Sequence, residues 1–291
     1  MKKIVSHSPF DQHEMIKAFN KAAINYDQAA VLQREVANRL DQRLAFITNL
    51  PKKIVDLGAG TGILSQFIAH RYREAEIINL DIVHHLLNHA KTKLTSRQYD
   101  FVCANAEELP FTHHSVDLVV SNLMLHWCFH PDKVLREIQR ILKPTGFLLF
   151  STLGPDTLIE LRQSWAKVDN YVHVHEFIDM HIIGDMALNA HLIDPVLDVE
   201  RIILQYQTPI KLLKDLKQLG VHNIAQGRSR NLTGKQSYQR FLQAYEVFRL
   251  DNGKYPATYE VIYGHALGSD IQQQEMTRGE VSIPLHQFQR K

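Results

Sequence analysis

The segment Ile54-Val-Asp56-Leu-Gly58-Ala-Gly60-Thr-Gly62 constrains the fold of this chain more than any other. The apolar run 52–58 that leads into it reads as a buried strand, and Ile63–Tyr72 behind it reads as a helix. Glycine at 58, 60 and 62 allows backbone conformations closed to other residues, and it lets a ligand lie against the main chain. A strand, a glycine-rich turn and a helix in that order form the ligand-binding crossover of an open α/β sheet.

The rest of the chain fits that unit. Strands are expected at 76–80, 99–104, 116–122 and 147–152, with helices at 84–94 and 131–142 and a turn at 143–146. Apolar strands separated by helices indicate a mostly parallel sheet covered on both faces. Before it, apolar residues recur every three or four positions from 11 to 47. They predict two helices broken near Asn25-Tyr26-Asp27. After it come helices at 156–168 and 176–191, a late strand pair at 198–207 and 258–266, and a helical section at 209–250 between them. The expected fold class is α/β, Rossmann-like, with a seven-stranded sheet, an N-terminal helical lid and a helical insertion before the last strand. The corresponding segments are 1–48 (lid), 49–153 (ligand-binding core), 154–268 (substrate side) and 269–291 (a polar tail expected to be disordered).

Composition narrows the function. No apolar run approaches the roughly 20 residues of a membrane span, and the start has neither an apolar stretch nor a cleavage site. Cys103 and Cys128 lack zinc spacing and fall in apolar strand-like stretches, where buried thiols are expected. A cytoplasmic location fits. The net charge of +2 suggests neither a nucleic-acid nor a membrane partner. Between Pro209 and Arg249, however, eight Lys/Arg face two acids, an excess of +6 that suits an acidic partner. The histidine pairs His84-His85, His113-His114 and His173-x-His175 sit on different elements, so they are expected on surfaces or helix faces and no metal is assigned.

Three details identify the small ligand as S-adenosylmethionine rather than a dinucleotide. Asp56 directly before Gly58, Gly60 and Gly62 suits a cation better than a pyrophosphate. Asp81 closes the second strand about twenty residues on, where a carboxylate can accept both ribose hydroxyls. The third strand ends in Ala104-Asn105-Ala106-Glu107, which resembles the adenine-contacting turn of class I methyltransferases. Asn105 stands where that family often has Asp, and it keeps the hydrogen-bonding edge without the charge. Asn122, closing the fourth strand on the same sheet edge, is a further expected cofactor contact. Asp56 has a second reading as a carboxylate that orders the turn.

The acceptor is read from resemblance. Residues 18–40, 121–128, 136–162 (REIQRILKPTGFLLFSTLGPDTLIELR), 222–246 (HNIAQGRSRNLTGKQSYQRFLQAYE) and 255–268 are similar to the malonyl-acyl-carrier-protein O-methyltransferases of biotin synthesis. The resemblance implies methyl transfer to the free carboxylate of a malonyl thioester on acyl carrier protein. A carboxylate is ionised at neutral pH and needs no general base. It does need a cation, best an arginine fork. Arg162 is the first candidate, and Arg228 and Arg230 are the second, with the carrier's phosphopantetheine phosphate as their alternative ligand. Tyr26, with Phe19, belongs to the helices that form a lid over the cofactor in related enzymes, where an aromatic ring can exclude water and face the sulfonium. Arg162 and Tyr26 are thus the expected catalytic pair. Gln33 is expected at the cofactor's polar end and Trp127 in the wall of the substrate channel, while His126 stands where a Gln is usual. Lys211, Lys214 and Lys217 on one face of the helix 209–219 offer a surface for the acidic carrier. The protein is expected to act as a monomer. Two other readings stay open: a related methyltransferase acting on a protein in respiratory complex I assembly, and a non-catalytic module that only binds the cofactor.

Overall fold

The structure, a computed structural model, describes residues 11–47, 50–221, 223, 227–228 and 233–270. It opens with α1 (Gln12–Ala22), α2 (Tyr26–Ala29) and α3 (Val31–Leu44). Asp11 caps α1, its carboxylate accepting from the amides of His13 and Glu14 at 3.0 and 3.3 Å. The break expected near residue 26 is itself the one-turn α2, because Ala30 leaves helical geometry before α3 starts. Leu32, Val36, Ala37, Leu40 and Leu44 recur at helical spacing and are all buried.

The sheet follows with β1 (Lys53–Leu57), α4 (Ile63–Arg71), β2 (Glu76–Asp81), α5 (His84–Lys93), β3 (Tyr99–Cys103), β4 (Val116–Asn122), α6 (Pro131–Ile141) and β5 (Leu142–Leu153). Next come α7 (Ile159–Ala166), α8 (Met180–Asn189), β6 (Ile193–Tyr206), α9 (Pro209–Gln218), α10 (Lys235–Tyr245) and β7 (Tyr255–Leu267). The strand order is β3-β2-β1-β4-β5-β7-β6. The first five strands are parallel, and β7 runs antiparallel to both β5 and β6. The late strand pair therefore completes the same sheet. Ile54, Val55 and Leu57 in central β1 are fully buried, each contributing on the order of 1.5–3 kcal/mol. Helices α3, α4, α7, α9 and α10 cover one face, and α6 and α8 the other. Strand order reverses between β1 and β4, so a crevice opens beyond their carboxyl ends. Among the described residues, no helix is long and apolar enough to cross a membrane.

Several boundaries differ from the expected ones. β6 starts at Ile193 rather than 198, and a register shift between Ile193 and Val196, with Asp194 at φ 49°, hides its alternation. β5 starts at Leu142, paired with Val116, and residues 143–146 bulge out before pairing resumes at Phe147. α7 begins after Leu158, which adopts φ 54°, and α8 begins only after Asp179, whose carboxylate accepts from the amide of His181 at 2.8 Å. The helical section 209–250 contains α9 and α10; Gly220, at φ +77°, ends the first against the carbonyl of Ala18. Cys103 is exposed, contrary to expectation, because β3 is an edge strand and the residue closes it. Ser269, at the start of the segment expected to be a tail, is buried and its hydroxyl accepts from Gln139 Nε2 at 3.0 Å, while 271–291 lie outside the described residues.

Candidate active site

The glycine turn adopts the geometry that its composition demands. Gly58, Gly60 and Gly62 have φ of +74°, +56° and +79°. The amides of Gly58 and Ala59 donate to Leu80 O at 2.8 and 3.0 Å, which ties the turn to the end of β2. A Cβ on Gly58 would overlap Met124, and one on Gly62 would lie 2.6 Å from Leu94 Cδ1. Only Gly60 has open space around it, and its amide donates to Asp81 Oδ2 at 2.8 Å.

Around this turn lies a cleft lined by apolar side chains and a few convergent polar groups, the make-up of small-molecule sites. Gly58, Gly60, Asp81, Asn105, Ala106, Asn122 and Phe19, all named in the sequence as cofactor candidates, line it together with Tyr26. Asp81 is buried, and its other oxygen accepts from the Val83 amide at 2.8 Å. Burial pushes its carboxyl up to about 6 despite those backbone donors. Asn105 Oδ1 accepts from the Glu107 amide at 3.0 Å, which shapes the turn after β3. Glu107, Met124, Ile82 and Leu86 also line the cleft and were not singled out in the sequence. Glu107 braces the far wall, accepting from the amides of Phe129 and His130 at 3.1 Å each. Its place in the motif Asn105-Ala106-Glu107 was the available signal.

Three expected cofactor residues sit elsewhere. Gly62 is absent from the cleft wall because it packs beneath Leu94 and starts α4. Gln33 faces a second space behind the lid, since α3 crosses there and its backbone carbonyl accepts from Asn122 Nδ2 at 2.9 Å. Asp56 lies under the turn, fully buried, with Ser65 Oγ 2.6 Å from its Oδ2. That hydroxyl also lies 2.7 Å from Asn79 Oδ1, while Asn79 Nδ2 donates to Asp100 O at 3.2 Å. One hydroxyl proton cannot serve two acceptors, so a proton on Asp56 completes the chain. Burial accordingly pushes Asp56 up to about 7. A folded-state value raised above the unfolded one gives stability that is complete at acid pH and is lost as pH rises through about 7. The cofactor-free Asp56→Asn variant should therefore gain in unfolding temperature relative to the parent between pH 5 and pH 8. A constant offset across that range in thermal melts would refute the assignment.

The second space shares Phe19, Tyr26, Leu123 and Trp127 with the cleft as common walls. Phe19 and Trp127 meet edge-to-face at 5.2 Å. Tyr26 is held over both spaces by its neighbour: Asp27 accepts from Thr61 Oγ1 at 2.5 Å and from Lys93 Nζ at 2.6 Å, so α2 is tied to the glycine turn and to α5. Removal from solvent, then the nearby Asp81 and Asp27 carboxylates, raises the Tyr26 phenol above its ordinary value, and it stays neutral. The remaining chamber wall includes His126, Thr157, His175, Phe177, Tyr206 and Tyr259. His175 was expected on a surface, but residues 175–178 are not helical and cross the chamber. Burial lowers both rings, His175 to about 4 with help from the Arg162 charge, and His126 with help from His175. Both are neutral at physiological pH.

Arg162 stands behind that wall rather than in it. Its Nη2 donates to Thr157 O at 3.0 Å, and its buried Nε has no hydrogen-bond partner among the described residues. Arg228 is half-buried and lines neither space; Arg230 lies outside the described residues. Among the described residues, no cluster of three His, Cys, Asp or Glu could hold a metal.

An acidic strand end facing a glycine turn whose φ values admit only close backbone approach, roofed by aromatic rings, fits S-adenosylmethionine. Residues 55–150 match the methyltransferase domain family. The fold is shared with a putative methyltransferase of Bacillus halodurans (TM-score 0.56, 17% identity, 79% of this chain and 97% of that one). It is shared also with a Haemonchus contortus phosphoethanolamine N-methyltransferase in complex with S-adenosyl-L-methionine (TM-score 0.51, 15% identity, 86% and 57%). Fold and cleft together define a class I S-adenosylmethionine-dependent methyltransferase. Among curated proteins, a malonyl-[acyl-carrier protein] O-methyltransferase of Coxiella burnetii is 43% identical over 97% of each chain. One of Laribacter hongkongensis is 44% identical over 88% of this chain and 89% of its own. The chain belongs to the malonyl-[acyl-carrier protein] O-methyltransferase family.

Proposed function

We propose that this protein methylates the free carboxylate of malonyl-acyl carrier protein, giving the methyl ester that opens biotin synthesis in the cytoplasm. The observation that carries the reading is the pair of spaces with common aromatic walls: a cleft suited to the donor and a mostly apolar chamber suited to a short acyl chain. When bound, S-adenosylmethionine supplies an electrophilic methyl on a positively charged sulfur. The acceptor oxygen forms its bond to carbon as the sulfur–carbon bond breaks, and no proton moves. Anion and cation both disappear in this step, so a chamber that excludes water and surrounds the reacting atoms with neutral side chains favours it. Neutral His126 and His175 and the rings of Phe19, Tyr26 and Trp127 provide such surroundings. Arg162, whose buried Nε has no hydrogen-bond partner among the described residues, stands behind the chamber wall and supplies the cation that selects a carboxylate over an uncharged acyl end.

Incubation with methyl-labelled cofactor and malonyl-acyl carrier protein is expected to give a base-labile methyl ester on the acyl group. Label on a protein side chain would instead support action on a protein, and no transfer at all would leave a cofactor-binding module.

A further inference from the structure

The acceptor chamber has a second neighbour on the side away from the cofactor. A long open groove runs between α1 and α9, and Leu216 and Val221 belong to the walls of both groove and chamber. Cleft, chamber and groove therefore lie in series: Phe19, Tyr26, Leu123 and Trp127 divide the first two, and Leu216 and Val221 divide the last two. A donor occupying the cleft leaves the groove as the route for whatever reaches the chamber from the opposite side.

The groove's chemistry is one-sided. Lys21 from α1 and Lys214 and Lys217 from α9 line it, all three exposed, and its lining residues include no carboxylate. None of the three lysines forms an ion pair among the described residues, where other lysines such as Lys93 and Lys143 do. Its floor is apolar and aromatic: Trp165 is buried, with His173 stacked on it at 4.0 Å and Leu161 alongside. A slender, partly apolar chain with an anion at its outer end fits such a surface, the chain along Leu161, Leu213 and the stacked His173 and the anion among the lysines.

We propose that this groove is the docking site of the acyl carrier protein, with its phosphopantetheine arm passing between α1 and α9 and entering the chamber at Leu216 and Val221. The inference rests on the function proposed above. It departs from the sequence-level expectation in its residues: Lys211 lies outside the groove, whereas Lys21, about 190 residues away in sequence, completes it. The lysines meet the arm's phosphodiester and the acidic face of the carrier, so docking is electrostatic and salt-sensitive.

The test compares two substrates, malonyl-acyl carrier protein and malonyl-N-acetylcysteamine, the latter a thioester without phosphate or carrier. In the variant Lys21→Glu/Lys214→Glu/Lys217→Glu, the ratio of kcat/KM for the carrier-borne to the truncated substrate should fall roughly tenfold or more. The parent's KM for the carrier-borne substrate should rise with salt, and this dependence should flatten in the variant. Calorimetric titration with S-adenosylhomocysteine checks that the variant is folded. An unchanged ratio in a variant that binds S-adenosylhomocysteine overturns the docking site. If the parent methylates neither thioester, the proposed function fails instead, so the two failures are told apart.

Discussion

Arg162→Ala is expected to lower kcat/KM for malonyl-acyl carrier protein by about a hundredfold or more. Truncating one partner of a buried, hydrogen-bonded charge pair costs about 2–5 kcal/mol, and about 1.4 kcal/mol is a factor of ten. The present structure gives Arg162 one backbone acceptor, Thr157 O, and leaves its buried Nε without a partner among the described residues. A buried donor of this kind is costly to leave unmade, and the Arg162 charge acts on the chamber through His175, whose ring is lowered by burial and then by that charge. Arg162→Lys keeps the charge without the planar fork and should recover only part of the loss. Steady-state kinetics with carrier-borne malonyl, alongside S-adenosylhomocysteine titration, decides the matter. A purely structural Arg162 would lower cofactor affinity and thermal stability together with turnover. Turnover within about threefold of the parent would end its role as the carboxylate ligand.

Gly58→Ala should be the most damaging single change in the cofactor turn. Its φ of +74° makes any side chain strained, by roughly 1–2 kcal/mol. Its new methyl would also overlap Met124, whose Cβ is close to the main chain and has little freedom to retreat, adding about 1–3 kcal/mol. At about 2–4 °C per kcal/mol for a domain of this size, the unfolding midpoint should fall by roughly 5–15 °C. Cofactor affinity should fall with it, because Met124 lines the cleft. Gly60→Ala is the internal comparison: it has the strain at φ +56° but nothing within 4 Å of the added methyl. Calorimetric melts in which Gly60→Ala is as damaging as Gly58→Ala would show that backbone conformation alone accounts for the turn's glycines.

The cofactor half of the molecule was largely legible in the amino-acid order. β1, the turn and α4 lie within 19 consecutive residues, and each is specified by local chemistry: an apolar run, glycines that tolerate positive φ, and a helical pattern. Asp81 and Asn105 could be placed as well, because a parallel sheet brings the ends of successive strands to one edge. Where local signals conflicted, the reading slipped. Asp194 and Pro195 obscured the start of β6, and an apolar environment was inferred for Cys103 from a strand that turned out to be the sheet's edge.

The acceptor side was legible only through family resemblance, and there the structure rearranged the expected roles. Gln33 and His175 line the chamber, Arg162 stands in the layer behind it, and Asp56 lies beneath the turn, in keeping with the second of its two readings. The chain order by itself determined the glycine turn, the strand-and-helix alternation and the cofactor class, because backbone conformation and burial periodicity are properties of neighbouring residues. Only the tertiary structure decided that cleft, chamber and groove lie in series. Their dividing walls draw Phe19, Tyr26, Trp127, Leu216 and Val221 from segments as much as 200 residues apart, and the packing of lid and insertion on the sheet brings them together.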